Sequence, residues 1–412
     1  MIETKFKNKI PEGWEVKQLN QILSLFGRIG FRGYNVTDLV QEGKGAISLS
    51  PSNIENGVVT FDKCTFLSWE KYEESPEIMV EEGDILLVKT GSTYGKIGYV
   101  ESLPWPSTIN PQFVVLKKFK CNSRVLAYLL EQKDFQDQIE SITSGGAIPT
   151  MSQAKILTCT VTLPSEEEQY RIAEALSDID GLIDTTKKLI EKKRNIKEGA
   201  MQDLLSGKRR LPGFTEKWIE ISFKDVYKYA SEGGTPDTSK AEYYNMGNLP
   251  FVKIEDTANK YIDSASSYIT QEGLCNSSAW LIPSNNIIFT NGATVGNVAI
   301  NRIPVTTKQG ILGVILKGAY DLEFIYYILS FSPFQNEVHN RESGGTFATI
   351  ILKNLDTIPL FIPRSKDEQA SIAQVLSDMD SEIQSLEARL KKYQALKQGM
   401  MQQLLTGKIR LI

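Results

Sequence analysis

Histidine is almost absent from this chain: among 412 residues there is one, His339. A metal site built on imidazoles is thereby nearly excluded, and a lone histidine after a helical segment reads as a surface side chain. Cysteine is scarce too. Cys64, Cys121, Cys159 and Cys275 stand far apart with no Cys-x-x-Cys pair, and read as reduced core residues of a cytoplasmic protein. Long apolar runs are missing. No stretch approaches the roughly 20 residues of a membrane span, and the start Met1-Ile2-Glu3-Thr4-Lys5-Phe6-Lys7 lacks the apolar centre of a signal peptide. Nor is basic charge in excess: 46 Lys and Arg against 50 Asp and Glu leave −4, so no global field advertises a nucleic-acid partner. With 41% hydrophobic residues, a chain of this length can still fill two or three ordinary cores.

What is present is a repeat. The segment Glu168-Gln169 to Leu211 recurs two hundred positions later, without a gap, as Glu368-Gln369 to Leu411. Shared positions include Ile172-Ala173, Leu176-Ser177-Asp178, Asp180, Ile183, Gly199, Met201-Gln202, Leu204-Leu205, Gly207-Lys208 and Arg210-Leu211, with Ile372 to Leu411 in the second copy. A proline-bounded strand end precedes each copy. Ser165 and Ser365 sit three residues before Glu168 and Glu368, the spacing of a capping box. Gly207 and Gly407 suit a left-handed helix stop. A helix from Glu166 to Ser206 would extend roughly 60 Å at 1.5 Å per residue. Average globular helices are far shorter, so a coiled coil or spacer is expected.

Apolar spacing agrees. Ile372, Leu376, Met379, Ile383, Leu386, Leu390 and Tyr393 alternate by fours and threes. The first copy runs Ile172, Leu176, Ile179, Ile183, Thr186, Ile190, Lys193, its seam fading toward the end. Such a stripe needs a partner helix. Glu166, Glu167, Glu168, Glu174, Asp178, Asp180 and Asp184 load the start of the first helix, and Lys187, Lys188, Lys192, Lys193, Arg194, Lys197 and Lys208 its end. The second copy repeats the gradient, from Asp367, Glu368, Asp378, Asp380, Glu382 and Glu387 to Arg389, Lys391, Lys392, Lys397 and Lys408. Part of that polarity suits each helix's own dipole. Parallel pairing would set acid beside acid, so antiparallel pairing is expected. Gly199 and Gly399, mid-helix, either leave room for a partner's close approach or are tolerated drift.

The intervening blocks are related more loosely. Trp14 and Trp218 open them. Ile85-Leu86-Leu87-Val88 and its turn Thr90-Gly91-Ser92-Thr93-Tyr94-Gly95-Lys96 match Ile287-Ile288-Phe289 and Asn291-Gly292-Ala293-Thr294-Val295-Gly296-Asn297. Strands at Phe113 to Leu116 and Gly310 to Leu316 follow, then amphipathic helices near Val125 to Ile139 and Leu322 to Leu329. Next come the glycine turns Ser144-Gly145-Gly146 and Ser343-Gly344-Gly345, and strands leading to Pro164 and Pro363. Short β-branched runs with glycine turns predict curved sheets with a few helices. The fold class is therefore α+β, two pseudo-repeated β-rich blocks (1–163 and 209–362) with two long helices (164–208 and 363–412).

This arrangement resembles the specificity subunit of type I restriction–modification enzymes. The resemblance spans essentially the whole chain. It rests on the endings Leu204-Leu205-Ser206-Gly207-Lys208 and Leu404-Leu405-Thr406-Gly407-Lys408, the entries Pro164 to Gln169 and Pro363 to Gln369, and the Leu-Ser-Asp-x-Asp segments, each occurring twice. It implies two target-recognition domains, each reading half of a split double-stranded DNA sequence. An antiparallel coiled coil separates them and docks two methyltransferase subunits, with restriction subunits joining the assembly. The chain would bind no cofactor; S-adenosylmethionine would belong to the methyltransferase partner, ATP and magnesium to the restriction partner. Helix length would fix the gap between the two words.

Catalytic readings are weaker. Asn110-Pro111-Gln112-Phe113 approaches the Asn-Pro-Pro-Tyr/Phe loop of adenine-N6 methyltransferases, but carries Gln in third place. Phe26-Gly27-Arg28-Ile29-Gly30 has the wrong spacing for a Phe-x-Gly-x-Gly cofactor loop. The Gly91 to Lys96 turn lacks the Walker pattern and sits between strands.

DNA contact is instead expected from basic, amide and hydroxyl side chains near the matched turns. In the first block the candidates are Arg28 and Arg32 beside Gly27, Gly30 and Gly33, then Lys89, Thr90, Ser92, Thr93, Tyr94, Lys96 and Gln112. In the second they are Thr290, Asn291, Thr294, Asn297, Lys308 and Gln309, with charge added by Arg302 and Arg341. The bland alternative for each is an ordinary loop side chain. Two other functions remain open: a specificity subunit whose partner fuses methyltransferase and nuclease, and a coiled-coil scaffold whose blocks bind protein.

Overall fold

The computed structural model describes residues 10–28, 33–143, 149–343 and 348–412. Arg32, Gly30, the turn Ser144-Gly145-Gly146 and Gly344-Gly345 therefore lie outside the described residues. The chain forms two compact units, Met1–Thr185 with Leu390–Ile412, and Thr186–Arg389. Each unit thus contains one block, the beginning of one long helix and the end of the other.

In the first unit a six-stranded sheet runs Ser24–Phe26, Phe113–Lys117, Ile85–Val88, Ile97–Tyr99, Val58–Val59, Ile54–Glu55. The run Ile85-Leu86-Leu87-Val88 is buried throughout, and strand alternation explains why. Ile85 and Leu87 face the core beneath the helices with Val114 and Leu116. Leu86 and Val88 face a second core with Phe113 and Val115, shared with a smaller sheet of Ser107–Ile109, Ala46–Leu49, Thr65–Leu67 and Leu39–Val40. A sheet covered on both faces needs apolar residues in both registers.

The second unit repeats this plan with five strands, Tyr227–Glu232, Ile311–Leu316, Asn286–Thr290, Val298–Asn301 and Tyr261–Ile262. Ile287 and Phe289 face the helices while Ile288 faces the second core. Its smaller sheet holds Ser267–Ile269, Leu249–Val252 and Thr306–Thr307. In each unit an antiparallel two-stranded ribbon joins the block's beginning to its end: Glu15–Gln18 with Thr160–Leu163, and Ile219–Ser222 with Pro359–Ile362.

The single amphipathic helix expected near Val125 to Ile139 is two helices, Ser123–Leu130 and Lys133–Ile142. The second block likewise has Leu322–Ser330 followed by Ser332–Asn340, with Pro333 in the first turn of the second. Gln136 and Gln335 explain the break. Each side-chain Nε2 donates to the end of the preceding helix, Leu130 O at 2.7 Å or Leu329 O at 2.6 Å, and to the glycine of the strand turn, Gly95 O or Gly296 O. Those glycines sit at φ +83° and +98°, and a Cβ there would lie 2.7 or 2.3 Å from the glutamine Oε1.

The long helices run Glu166–Leu205 and Lys366–Leu404. Along their seams Ile172, Leu176, Ile179, Ile183, Thr186, Ile190, Ile372, Leu376, Ile383 and Leu386 are buried; Met379 and Leu390 are half-buried. The halves pair antiparallel within each unit, because partner numbers fall on one segment as they rise on the other. In the second unit the ion pairs include Lys193–Glu382, Arg194–Glu387, Lys197–Asp380 and Arg210–Glu368. In the first they are Lys397–Asp180 and Arg410–Glu168. The seam does not fade at Lys193. It continues through Lys197 to Leu204, with a lysine occupying a packing position and answering an opposing aspartate.

Two other expectations are corrected. The capping box is at most half formed: Glu368 N donates to Ser365 Oγ at 3.4 Å, but the Glu168 and Glu368 carboxylates accept arginine and tryptophan donors rather than reaching back to the caps. Of the cysteines, all free, only Cys159 is buried, and Cys275 is exposed. Among the described residues nothing lies within 4 Å of where a Cβ would stand at Gly199 or Gly399. Among the described residues no helix is long and apolar enough to cross a membrane.

Candidate nucleic-acid interface

Main-chain bonding brings the candidate residues of each block to one edge. In the first unit Lys89 N donates to Gln112 O at 2.8 Å and Gly91 N to Pro149 O at 3.1 Å. In the second unit Asn291 N and Gly292 N both donate to Gly310 O, at 2.9 and 3.1 Å, joining the turn to the Lys308-Gln309 loop.

Within those edges the side chains divide sharply. Ser92, Thr93, Thr294 and Gln309 are exposed. Lys89, Gln112 and Lys308 are half-buried, and burial lowers the Lys89 ammonium below its ordinary pKa. Tyr94 packs against the helix-side core. Thr90 Oγ1 donates to Pro149 O, and Lys96 Nζ to Pro51 O. Asn297 donates to Thr257 Oγ1 at 3.1 Å. Three candidates are removed by burial. Arg28 is 5% exposed, its guanidinium donating to Ile109 O and Thr108 Oγ1 beside the Tyr34 ring. Thr290 and Asn291 are also buried, one accepting from Asn297 N, the other donating to Ile350 O. Their bonds are internal ones, although Asn291 Oδ1 is buried with no partner among the described residues.

Sequence reasoning missed the joint between block and helix pair. In the first unit Asp180 Oδ2 accepts from Tyr128 OH at 2.6 Å and Arg124 Nη2 at 3.1 Å, while Lys397 Nζ lies 2.6 Å from Oδ1. In the second, Asp380 accepts from Tyr327 OH at 2.6 Å and Lys197 Nζ at 2.5 Å. Burial, with the neighbouring carboxylate, raises both phenols far above their ordinary range, so both hydroxyls donate at neutral pH. Arg124 of the first unit corresponds to Glu323 of the second, and there Lys260 supplies the cation, 2.5 Å from Glu323 and 2.8 Å from Tyr327 OH. The signal was available: both aspartates and the lysines at 197 and 397 belong to the repeated skeleton.

The repeated Glu-Gln dipeptide forms the second joint. Gln169 Oε1 accepts from Asn122 N and its Nε2 donates to Pro164 O, both at 2.8 Å; Gln369 does the same with Asp321 N and Pro363 O at 2.9 Å. Asn122 and Asp321 cap the helices at Ser123 and Leu322. Each glutamine therefore ties a long helix to its block. Among the described residues no group of three His, Cys, Asp or Glu stands close enough to hold a metal ion.

The family model described as the type I restriction modification DNA specificity domain matches twice, at residues 11–192 and 215–397. The MjaVIII specificity subunit of Methanocaldococcus jannaschii, a type I restriction enzyme component, is 25% identical over 98% of this chain and 94% of its own. The EcoR124I/EcoR124II specificity subunit of Escherichia coli is 28% identical over 170 residues, 40% of this chain and 42% of its own. The crystal structure of a type I S subunit from M. genitalium shares the fold, with a TM-score of 0.61 over 97% of both chains at 16% identity. Matched in both of its halves, the chain belongs to the type I restriction–modification DNA specificity family.

Proposed function

We propose that this chain is the sequence-reading subunit of a type I restriction–modification complex. Each block reads one word of a split, asymmetric duplex target, and the helix pair carries two methyltransferase subunits, to which restriction subunits add. The observation that carries this reading is a duplicated frame with unlike edges. Asp180 and Asp380, Glu168 and Glu368, Gln169 and Gln369 make matching joints. The edges share a threonine, Thr93 or Thr294, but differ around it: exposed Ser92 stands where the second block has Ala293, Lys96 where it has Asn297, and Asn110 where it has Lys308. Amides and hydroxyls at base edges discriminate bases, so unlike edges read unlike words.

Chemistry then belongs to the partners, S-adenosylmethionine to the methyltransferase and ATP with magnesium to the restriction subunit. The test is co-expression with the partner methyltransferase and mapping of methylated adenines across a genome. Two different short words at a fixed gap are expected. A single uninterrupted motif, or methylation by this chain purified alone, would contradict the reading.

A further inference from the structure

The smaller sheet of the second unit ends in a cleft of about 310 Å³. Its strands Leu249–Val252 and Thr306–Thr307 are parallel, Phe251 opposite Thr306 and Val252 opposite Thr307, so both release the next residue on the same side. Those residues are Lys253 and Lys308, tied by the bond from Lys308 N to Val252 O. Both line the cleft, with Thr235, Thr238, Tyr244 and Ser267.

One wall is held rigidly. A Cβ on Gly233 would lie 2.0 Å from Thr307 O, and one on Gly234 2.1 Å from Ser278 Oγ and 2.7 Å from Ala279 N. The glycines let this loop lie directly on the strand, where Gly233 N donates to Ile311 O and Gly234 N to Thr307 O. Tyr244 OH then donates to Pro236 O at 2.5 Å.

No carboxylate lines the cleft. Asp237 accepts from Ser239, Asp256 from Lys253 N and Ser266, and Glu232 from Gly310 N, and none of the three is among the lining residues. Among the described residues neither Lys253 nor Lys308 has an ion-pair partner, although the chain carries −4 overall. Two lysines without ion-pair partners, lining one cleft with the hydroxyls of Thr235, Thr238 and Ser267 and with Tyr244, favour an anion. The lining also lacks the planar forks of Asn, Gln and Arg that read base edges. Lysines and hydroxyls are the chemistry of phosphate contact, which positions DNA without reading it.

We infer that this cleft seats backbone phosphates of the DNA strand at the second block's half-site, with Lys253 and Lys308 as the cationic contacts. This rests on the DNA-reading function proposed above. The equivalent strand ends in the first unit carry Ser50 and Asn110, so the anchor belongs to one block only.

The test measures duplex affinity against salt for the chain assembled with its methyltransferase partner. Wild-type binding without salt dependence would overturn the DNA-reading function itself. If wild type binds as expected, the log–log slope should shrink by about one for Lys253→Ala or Lys308→Ala and about two for the pair. Lys253→Arg with Lys308→Arg should restore it, and the methylated motif should not change. An unchanged slope in the double alanine variant overturns the inference. So does a changed motif, which would make the cleft a base reader. So does loss of inorganic phosphate binding without loss of duplex affinity, which would make it a simple anion site.

Discussion

Glu168 gathers donors from two distant parts of its unit. Its carboxylate accepts from Arg410 Nε and Nη2 at 2.8 and 2.9 Å, from Trp14 Nε1 at 2.8 Å and from Leu411 N at 3.3 Å. Burial alone would raise its pKa, but Arg410 and Trp14 hold it below the ordinary 4.5. A depressed carboxylate stabilises the fold above its unfolded pKa, and that contribution is lost as pH falls through the folded value. Glu168→Gln should therefore cost about 2 kcal/mol near neutrality. The difference from wild type should narrow as denaturation is repeated from pH 7 down to pH 3. An equal difference at every pH would show that the carboxylate charge is not what matters. The glutamate's place was visible in the repeat; its partners were not, because Arg410 and Trp14 are remote in sequence. For the same reason Arg28 looked like a DNA contact until folding buried it under Thr108 and Ile109.

At the scale of elements, the helix pair mixes an apolar seam with ionic exceptions. Lys397 occupies a seam position yet meets Asp180, which also holds Tyr128 and Arg124. Removing one member of such a group strands a charge, whereas an apolar replacement of its partner can fill the seam. Asp180→Ala should cost about 3 kcal/mol. Adding Lys397→Met should recover part of that loss rather than deepen it. Simple additivity of the two single costs in a thermodynamic cycle would show that the residues are not coupled. The seam's apolar stretch was readable from its spacing. Its continuation through lysine was not, since a periodicity of hydrophobic residues does not register a charged side chain that packs by pairing.

For the whole molecule, the duplicated plan predicts modular reading. Replacing residues 13–160 with the same region of another such subunit should change one word of the methylated motif and leave the other intact. Genome-wide mapping of the co-expressed complex gives the answer, and a change in both words would contradict a one-block, one-word division. The sequence by itself determined the repeat, the α+β class, the long helices and their antiparallel sense, because these follow from local spacing and from charge gradients along single elements. Only the tertiary structure decided which polar residues are free and which are structural. It turned Thr290 and Asn291 inward and paired Asp180 and Asp380 with tyrosines. It also placed Lys253 beside Lys308 at the ends of two parallel strands. The reason is physical: a polar side chain is a contact or a brace according to what long-range packing leaves within hydrogen-bond reach, and that neighbourhood is not written in the chain's local order.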